Sequence, residues 1–129
     1  MDRITVKTGG LVSEILVGMK WESVRELIPA SGTAIITDNN VNKIYGDRFP
    51  DVPVLQIKPG EWSKKMEVVE SLAGRLIESG IDRSGFLLGI GGGVVCDITG
   101  FLASIYMRGI KCAYVSSTLL SQVDASTGG

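Results

Sequence analysis

Gly91-Gly92-Gly93-Val94-Val95-Cys96-Asp97-Ile98-Thr99-Gly100-Phe101 follows Phe86-Leu87-Leu88-Gly89-Ile90, so a glycine triplet separates an apolar run of strand length from an apolar stretch of helical length. The glycines stop the strand and the next residues open a helix, expected from about Val94 to Met107. Without side chains, such a turn lets backbone amides approach a dinucleotide pyrophosphate, and the helix N-terminus adds partial positive charge. The triplet lacks the G-x-G-x-x-G spacing of the common fingerprint, and a tight structural turn is the alternative reading.

Outward from this turn, apolar runs of strand length alternate with stretches of helical period. The pattern predicts a Rossmann-like α/β domain, an open and mainly parallel sheet flanked by helices. Strands are expected at Arg3–Lys7, Thr33–Thr37, Val52–Ile57, Phe86–Ile90 and Ala113–Val115. Pro53 suggests that the third of these is an edge. After Gly9-Gly10, the spacing of Leu11, Ile15 and Leu16 suits a short helix, and Trp21, Val24, Leu27 and Ile28 suit a second segment ended near Pro29. Val41 to Tyr45 is expected as a helical turn. Met66, Val69, Leu72, Ala73, Leu76 and Ile77 recur at three and four residues, which predicts a helix capped by Ser63 and ended by Gly80. Gly100 inside the apolar helix points to close backbone packing or ligand approach. A further helix is expected to start within Thr118–Val123.

The chain has 129 residues and a formal net charge of −1. That length suits one core, burying roughly two-thirds of its unfolded surface, and gives one domain over residues 1–129. The interspersed charges offer no basic stripe, so nucleic acid is not an expected partner. Met1-Asp2-Arg3-Ile4-Thr5-Val6 carries charge where a secretory signal needs an apolar core, and no apolar run approaches the ~20 residues of a membrane span. A cytoplasmic protein with no membrane partner is the expectation. Cys96 and Cys112 lack C-x-x-C spacing and read as buried reduced thiols. Histidine is absent, and no residues cluster at metal-ligand spacing.

Open α/β sheets bind ligands at the carboxyl ends of their strands, where Asp38, Glu61, the glycine triplet and Ser117 are expected to converge. Asp38 is placed to accept hydrogen bonds from ribose hydroxyls with Asn40 beside it, although Asp-Asn-Asn is also a common turn sequence. Glu61 and Lys64 equally fit a first-turn acid and a solvated lysine. Asp97 reads as an acid in the first turn of the apolar helix, where the dipole favours its charge but burial requires a partner. Arg108 offsets the C-terminal dipole of that helix, Asp124 fits an exposed turn, and Ser117 and Thr118 fit a helix cap.

The whole order, however, resembles the 3-dehydroquinate synthase family. Asp97, Gly100-Phe101, Arg108-Gly109, Ser117-Thr118-Leu119-Leu120, Val123-Asp124 and Gly128-Gly129 match that family's pattern in order and spacing. Thr37-Asp38-Asn39-Asn40-Val41 and Pro59-Gly60-Glu61-Trp62-Ser63-Lys64 resemble its two earlier cofactor segments. Ser116, Ser117 and Cys96 depart from it without removing a charged group. The resemblance implies NAD as cofactor, held by Asp38, Asn40, Glu61, Lys64, Gly92, Gly93, Val94, Asp97, Ser117 and Thr118, with Arg108 and Asp124 on the substrate. It further implies that the family's lysine-bearing loop and helical, zinc-binding second domain are absent from this chain, which would be inactive alone. The family converts the sugar-acid phosphate DAHP to 3-dehydroquinate in the shikimate pathway, by oxidation of a hydroxyl, elimination of phosphate, reduction and aldol closure. Its full-length members are usually homodimers. Two alternatives stay open at this level: another sugar-phosphate cyclase of the same superfamily, and a non-catalytic nucleotide-binding module.

Overall fold

A computed structural model describes residues 1–116 of the chain. The strands are β1 (Asp2–Thr8), β2 (Leu11–Val17), β3 (Thr33–Asp38), β4 (Val54–Ile57), β5 (Phe86–Gly91) and β6 (Lys111–Ser116). The helices are α1 (Val24–Leu27), α2 (Asn39–Tyr45), α3 (Met66–Glu78) and α4 (Gly93–Ile105), with short 3-10 turns at Trp21–Ser23, Gly46–Arg48, Glu61–Ser63 and Tyr106–Arg108. The last four strands make a parallel sheet in the order β4-β3-β5-β6. As the apolar runs predict, this is the open α/β sheet.

The sheet is covered on both faces, which is why its central strands read as continuous apolar runs. On one face, Ala34, Ile36 and Leu87 pack beneath Leu72 and Leu76 of α3 and Val95, Ile98 and Leu102 of α4. On the other, Ile35, Leu88 and Ile90 pack with Val24 and Phe49, while Trp21 and Val41 lie against the margin. Each fully buried leucine or isoleucine here is worth about 1.5–3 kcal/mol of transfer free energy. The chain winds from β3 out to β4 and then returns across β3 to β5 and β6. Strand order therefore reverses between β3 and β5.

Helix–sheet contact is tightest at glycines. A Cβ on Gly89 would lie 2.6 Å from Thr99 Oγ1, and one on Gly91 would lie 2.8 Å from Val95. On α4, a Cβ at Gly100 would meet the Tyr114 hydroxyl at 2.5 Å, so that glycine answers to the close packing expected of it. Gly80 ends α3 in the left-handed region at φ 76°, with Gly80 N–H bonded to Ile77 O and Ile81 N–H to Leu76 O. This is the Schellman arrangement, so the predicted glycine stop holds.

Four local expectations are corrected. Leu11 to Leu16 is a strand: Gly9 and Gly10 take φ of 55° and 83°, a two-residue turn that folds β2 back antiparallel on β1. The hairpin stands outside the parallel sheet, so the first strand does not join that sheet either. Ser63 does not cap α3; Lys65 holds that position, and the Ser63 hydroxyl instead donates to Lys58 O at 2.5 Å. Met66 and Ile77 face solvent because the buried stripe of α3 is carried by Val69, Leu72 and Leu76. The helix expected within Thr118–Val123 lies outside the described residues.

Candidate functional site

The reversal between β3 and β5 opens a crevice at their carboxyl ends, the place where open α/β sheets bind ligands. A buried hydrogen bond of 2.7 Å from the Thr37 hydroxyl to Ile90 O joins the two strand ends. Asp38 terminates β3 on one side of the crevice. Its Oδ1 accepts from Val41 N–H at 2.8 Å and so caps α2, the turn chemistry open to an Asp-Asn-Asn sequence. Oδ2 accepts no hydrogen bond among the described residues, which leaves a carboxylate oxygen for a ligand. Asn40 is exposed on the first turn of α2.

Gly91 to Val94 form the other side. Gly92 is the N-cap of α4, with no side-chain hydrogen bond at the cap, and Gly93 and Val94 are its first two residues. Their amides precede the first intrahelical bond, Cys96 N–H to Gly92 O at 3.0 Å. The turn therefore presents free backbone donors at the positive end of a helix of 13 residues, the chemistry that suits an anion. None of the triplet has positive φ. At Gly91 the requirement is space, because any side chain there would strike Val95 and push the first turn of α4 off the sheet.

After β4, the turn through Glu61–Ser63 carries Lys64 across the end of β3 to α4. Lys64 Nζ lies 2.6 Å from Asp97 Oδ2 and 3.3 Å from Glu61 Oε2. The hydrogen bond to Asp97 is the leading influence raising the Lys64 pKa above its ordinary value, with Glu61 adding to it and desolvation opposing. Asp97 is neither in the first turn nor buried. The helix starts at Gly93, so Asp97 lies one turn in, half-exposed, and pairs with Lys64 although its exposure does not demand a partner. The pairing joins segments 33 residues apart, Lys64 and Asp97, and no local pattern could disclose it.

Cys96 is buried, donates weakly to Gly91 O at 3.9 Å, and has its pKa pushed up to about 11 by desolvation, against the effect of a hydrogen bond with Ser116. Both cysteines are free thiols. Arg108 stands elsewhere. α4 is about 20 Å long and runs from the carboxyl to the amino ends of the strands, where the Tyr106 hydroxyl donates to Ile81 O ahead of β5. Arg108 follows there, exposed and with φ of 67°, so the length of α4 separates it from the glycine turn. Ser117, Thr118 and Asp124 lie outside the described residues. Glu61, Lys64 and Asp97 are thus in contact, Asp38 and the glycine turn flank the same crevice, and Arg108 is not part of it.

A groove of about 400 Å³ lies beside the crevice, between β4 and α3, with Trp62, Lys58 and Arg75 among its walls. Among the described residues, no three His, Cys, Asp or Glu side chains gather as a metal site. No helix among them is long and apolar enough to cross a membrane.

Known proteins resemble this chain in sequence and in fold. The family model described as 3-dehydroquinate synthase N-terminal matches residues 54–129. The 3-dehydroquinate synthase of Enterococcus faecalis is 41% identical over 134 aligned positions, covering 98% of this chain and 36% of the relative. That of Alkaliphilus metalliredigens is 46% identical over 101 positions, covering 74% of this chain and 28% of the relative. The chain thus spans only about a third of such relatives. Among solved structures, a 2-deoxy-scyllo-inosose synthase superposes with a TM-score of 0.80 at 25% identity, covering 96% of this chain and 38% of that one. The 2-epi-5-epi-valiolone synthase of Streptomyces hygroscopicus subsp. jinggangensis, solved with NAD+ and Zn2+ bound, gives a TM-score of 0.69 at 27% identity, covering 80% of this chain and 31% of that one.

Proposed function

The chain belongs to the 3-dehydroquinate synthase family, and on that footing we propose that it is the N-terminal, NAD-binding part of an enzyme converting DAHP to 3-dehydroquinate and phosphate. The observation that carries the proposal is the crevice between β3 and β5, with Asp38 on one side and the uncapped glycine turn on the other. NAD fits these residues. Amides at Gly93 and Val94, with Gly92 leaving the approach clear, donate to the pyrophosphate. Asp38 accepts from ribose hydroxyls with the oxygen it does not spend on α2, and Asn40 lies beside it. Glu61, Lys64 and Asp97 border the cofactor as one charged cluster. Ser117 and Thr118 complete the set.

When bound, NAD would supply reversible hydride chemistry, and Asp38, Gly93 and Val94 would hold and orient it. The bound NAD+ of the 2-epi-5-epi-valiolone synthase supports this cofactor, and its Zn2+ supports a divalent metal in the longer protein. The described residues do not fit a metal, so no step is assigned to one on them. Substrate binding falls to Arg108 and to Asp124, the second of which lies outside the described residues. The intact enzyme is a cytoplasmic lyase of the shikimate pathway, homodimeric, and independent of nucleic acid and membrane. The 129-residue chain by itself is inactive.

A second reading, another sugar-phosphate cyclase, draws on the superposition with the 2-deoxy-scyllo-inosose synthase at 25% identity. The 41% and 46% identities to 3-dehydroquinate synthases favour the first. Phosphate release decides between them. A protein joining this chain to the remaining length of its relatives is expected to release phosphate from DAHP with NAD and zinc present, and the chain alone is expected to release none. Release from sedoheptulose 7-phosphate or glucose 6-phosphate instead would favour the second reading.

A further inference from the structure

α4 descends and β6 ascends along one seam, so residues near the start of the helix meet residues near the end of the strand. Ala113 and Val115 pack on the opposite face of the sheet, which turns Tyr114 and Ser116 toward α4. Gly100 lies against Tyr114, where a Cβ would meet the hydroxyl at 2.5 Å. One helical turn earlier and two strand residues later, Cys96 meets Ser116. The Cys96 thiol is only 1% exposed and touches two strand ends. It donates to Gly91 O at 3.9 Å, on the residue that stands in register with Ser116. It is also hydrogen-bonded with the Ser116 side chain, in the sense that acts to lower the thiol pKa, so the hydroxyl donates and the sulfur accepts. The backbone of the same residue opens the helix, through Cys96 N–H to Gly92 O at 3.0 Å. Cys96 and Ser116 are moreover two of the positions at which the chain departs from the family's pattern, so their contact belongs to this chain's own residues.

We propose that Cys96 is a positioning residue for the cofactor, a buried clasp that fastens the carboxyl end of β6 to the glycine turn. The thiol spends its donor on the turn and its acceptor on the strand, so both are set against α4 by one side chain. From Ser116 the chain continues directly into Ser117 and Thr118, the two residues that the NAD reading assigns to the cofactor after this strand. Cys96 acts on the cofactor only through Gly91 and Ser116. Weak bonds suffice for this role because the sulfur is buried and no bulk water competes for either partner. The inference rests on the NAD reading above and adds to it the means by which the two cofactor segments, the glycine turn and the end of β6, keep their spacing.

Calorimetric titration of NAD into the 129-residue chain and three single variants tests the clasp. Cys96→Ala and Ser116→Ala are each expected to raise the dissociation constant roughly fivefold, the scale of one neutral hydrogen bond. The double variant is expected to raise it no further, because both changes break the same contact. Cys96→Ser keeps a donor and an acceptor at the position and is expected to restore binding to within about twofold of the wild type. Ser116→Ala removes a single hydroxyl at a strand end, and it decides the matter should Cys96→Ala fail to fold. A role in stability alone would lower the urea midpoint of Cys96→Ala and leave its NAD affinity unchanged; that result overturns the proposal. Additive effects of the two alanine variants, or a Cys96→Ser chain as weak as Cys96→Ala, overturn it as well. Equal binding by all variants removes the clasp and leaves the NAD reading standing, whereas a folded wild-type chain that takes up no NAD removes both.

Discussion

Lys64 ties the turn after β4 to α4 through one short ion pair with Asp97, and the chemistry of that pair is testable at the level of a single amine. Its pKa is raised chiefly by the hydrogen bond to Asp97. The contribution of the pair is therefore present in full below the ordinary value of 10.5 and is lost as pH rises through the higher folded value. NMR titration of the Lys64 side chain is expected to give a midpoint above the ordinary lysine range, moving back toward it in Asp97→Asn. An unchanged midpoint in the variant would show that Asp97 is not the cause. Cys96 obeys the same sign. Burial raises its thiol from 9.0 to about 11, so its contribution is present below pH 9.0 and disappears as pH rises through about 11. The folded chain is expected to leave Cys96 unmodified by an aromatic disulfide reagent at pH 8, with modification only on unfolding; rapid reaction at Cys96 would contradict its burial. That both cysteines are unpaired could be read from their spacing, but the partnership of Lys64 with Asp97 could not. It depends on how β4, β3 and β5 lie side by side, and residue order alone does not encode that distance.

Among the elements, the glycine turn and the helix after it act as one unit with the strand before it. Gly91→Ala is expected to cost about 1–3 kcal/mol of stability, because the new methyl would sit 2.8 Å from Val95, and to weaken NAD binding by displacing the amides of Gly93 and Val94. Urea unfolding and a cofactor titration on the same variant check both; an unperturbed variant would mean that α4 is free to move off β5. The central strands, α3 and α4 were legible because their periods differ and their apolar runs are long. The run Leu11-Val12-Ser13-Glu14-Ile15-Leu16-Val17 was not, since apolar residues at its two ends fit a helical face as well as a strand. What decides it is the positive φ of Gly9 and Gly10, a turn signal that outweighs the spacing. Ser63 departs from the expected cap for a related reason. A serine ahead of a helix fits a cap, but here its hydroxyl is drawn to Lys58 O by the 3-10 turn, and Lys65 opens α3 instead. The start of α4 one residue earlier than expected, at Gly93, likewise moved Asp97 out of the first turn.

For the whole molecule, the arrangement separates the proposed cofactor crevice at the carboxyl ends of the strands from an arginine at their amino ends. The sequence order of motifs conveyed the family and the crevice, since Asp38, Glu61, Lys64 and the glycines each follow a strand of the parallel sheet. It did not convey that Arg108, only 11 residues after Asp97, would be carried to the other end of the sheet by α4. The direction of a helix between two parallel strands accounts for this: α4 must return the chain to the amino end before β6 can begin. The most direct test of the central claim is calorimetric titration of NAD into the purified chain, with Asp97→Ala as control. The account predicts saturable one-to-one binding by the wild type and a dissociation constant raised at least about tenfold in the variant, about 1.4 kcal/mol. A folded wild-type chain that takes up no NAD, or an Asp97→Ala chain that binds it equally well, would contradict a cofactor site built on the glycine turn and the Lys64–Asp97 pair.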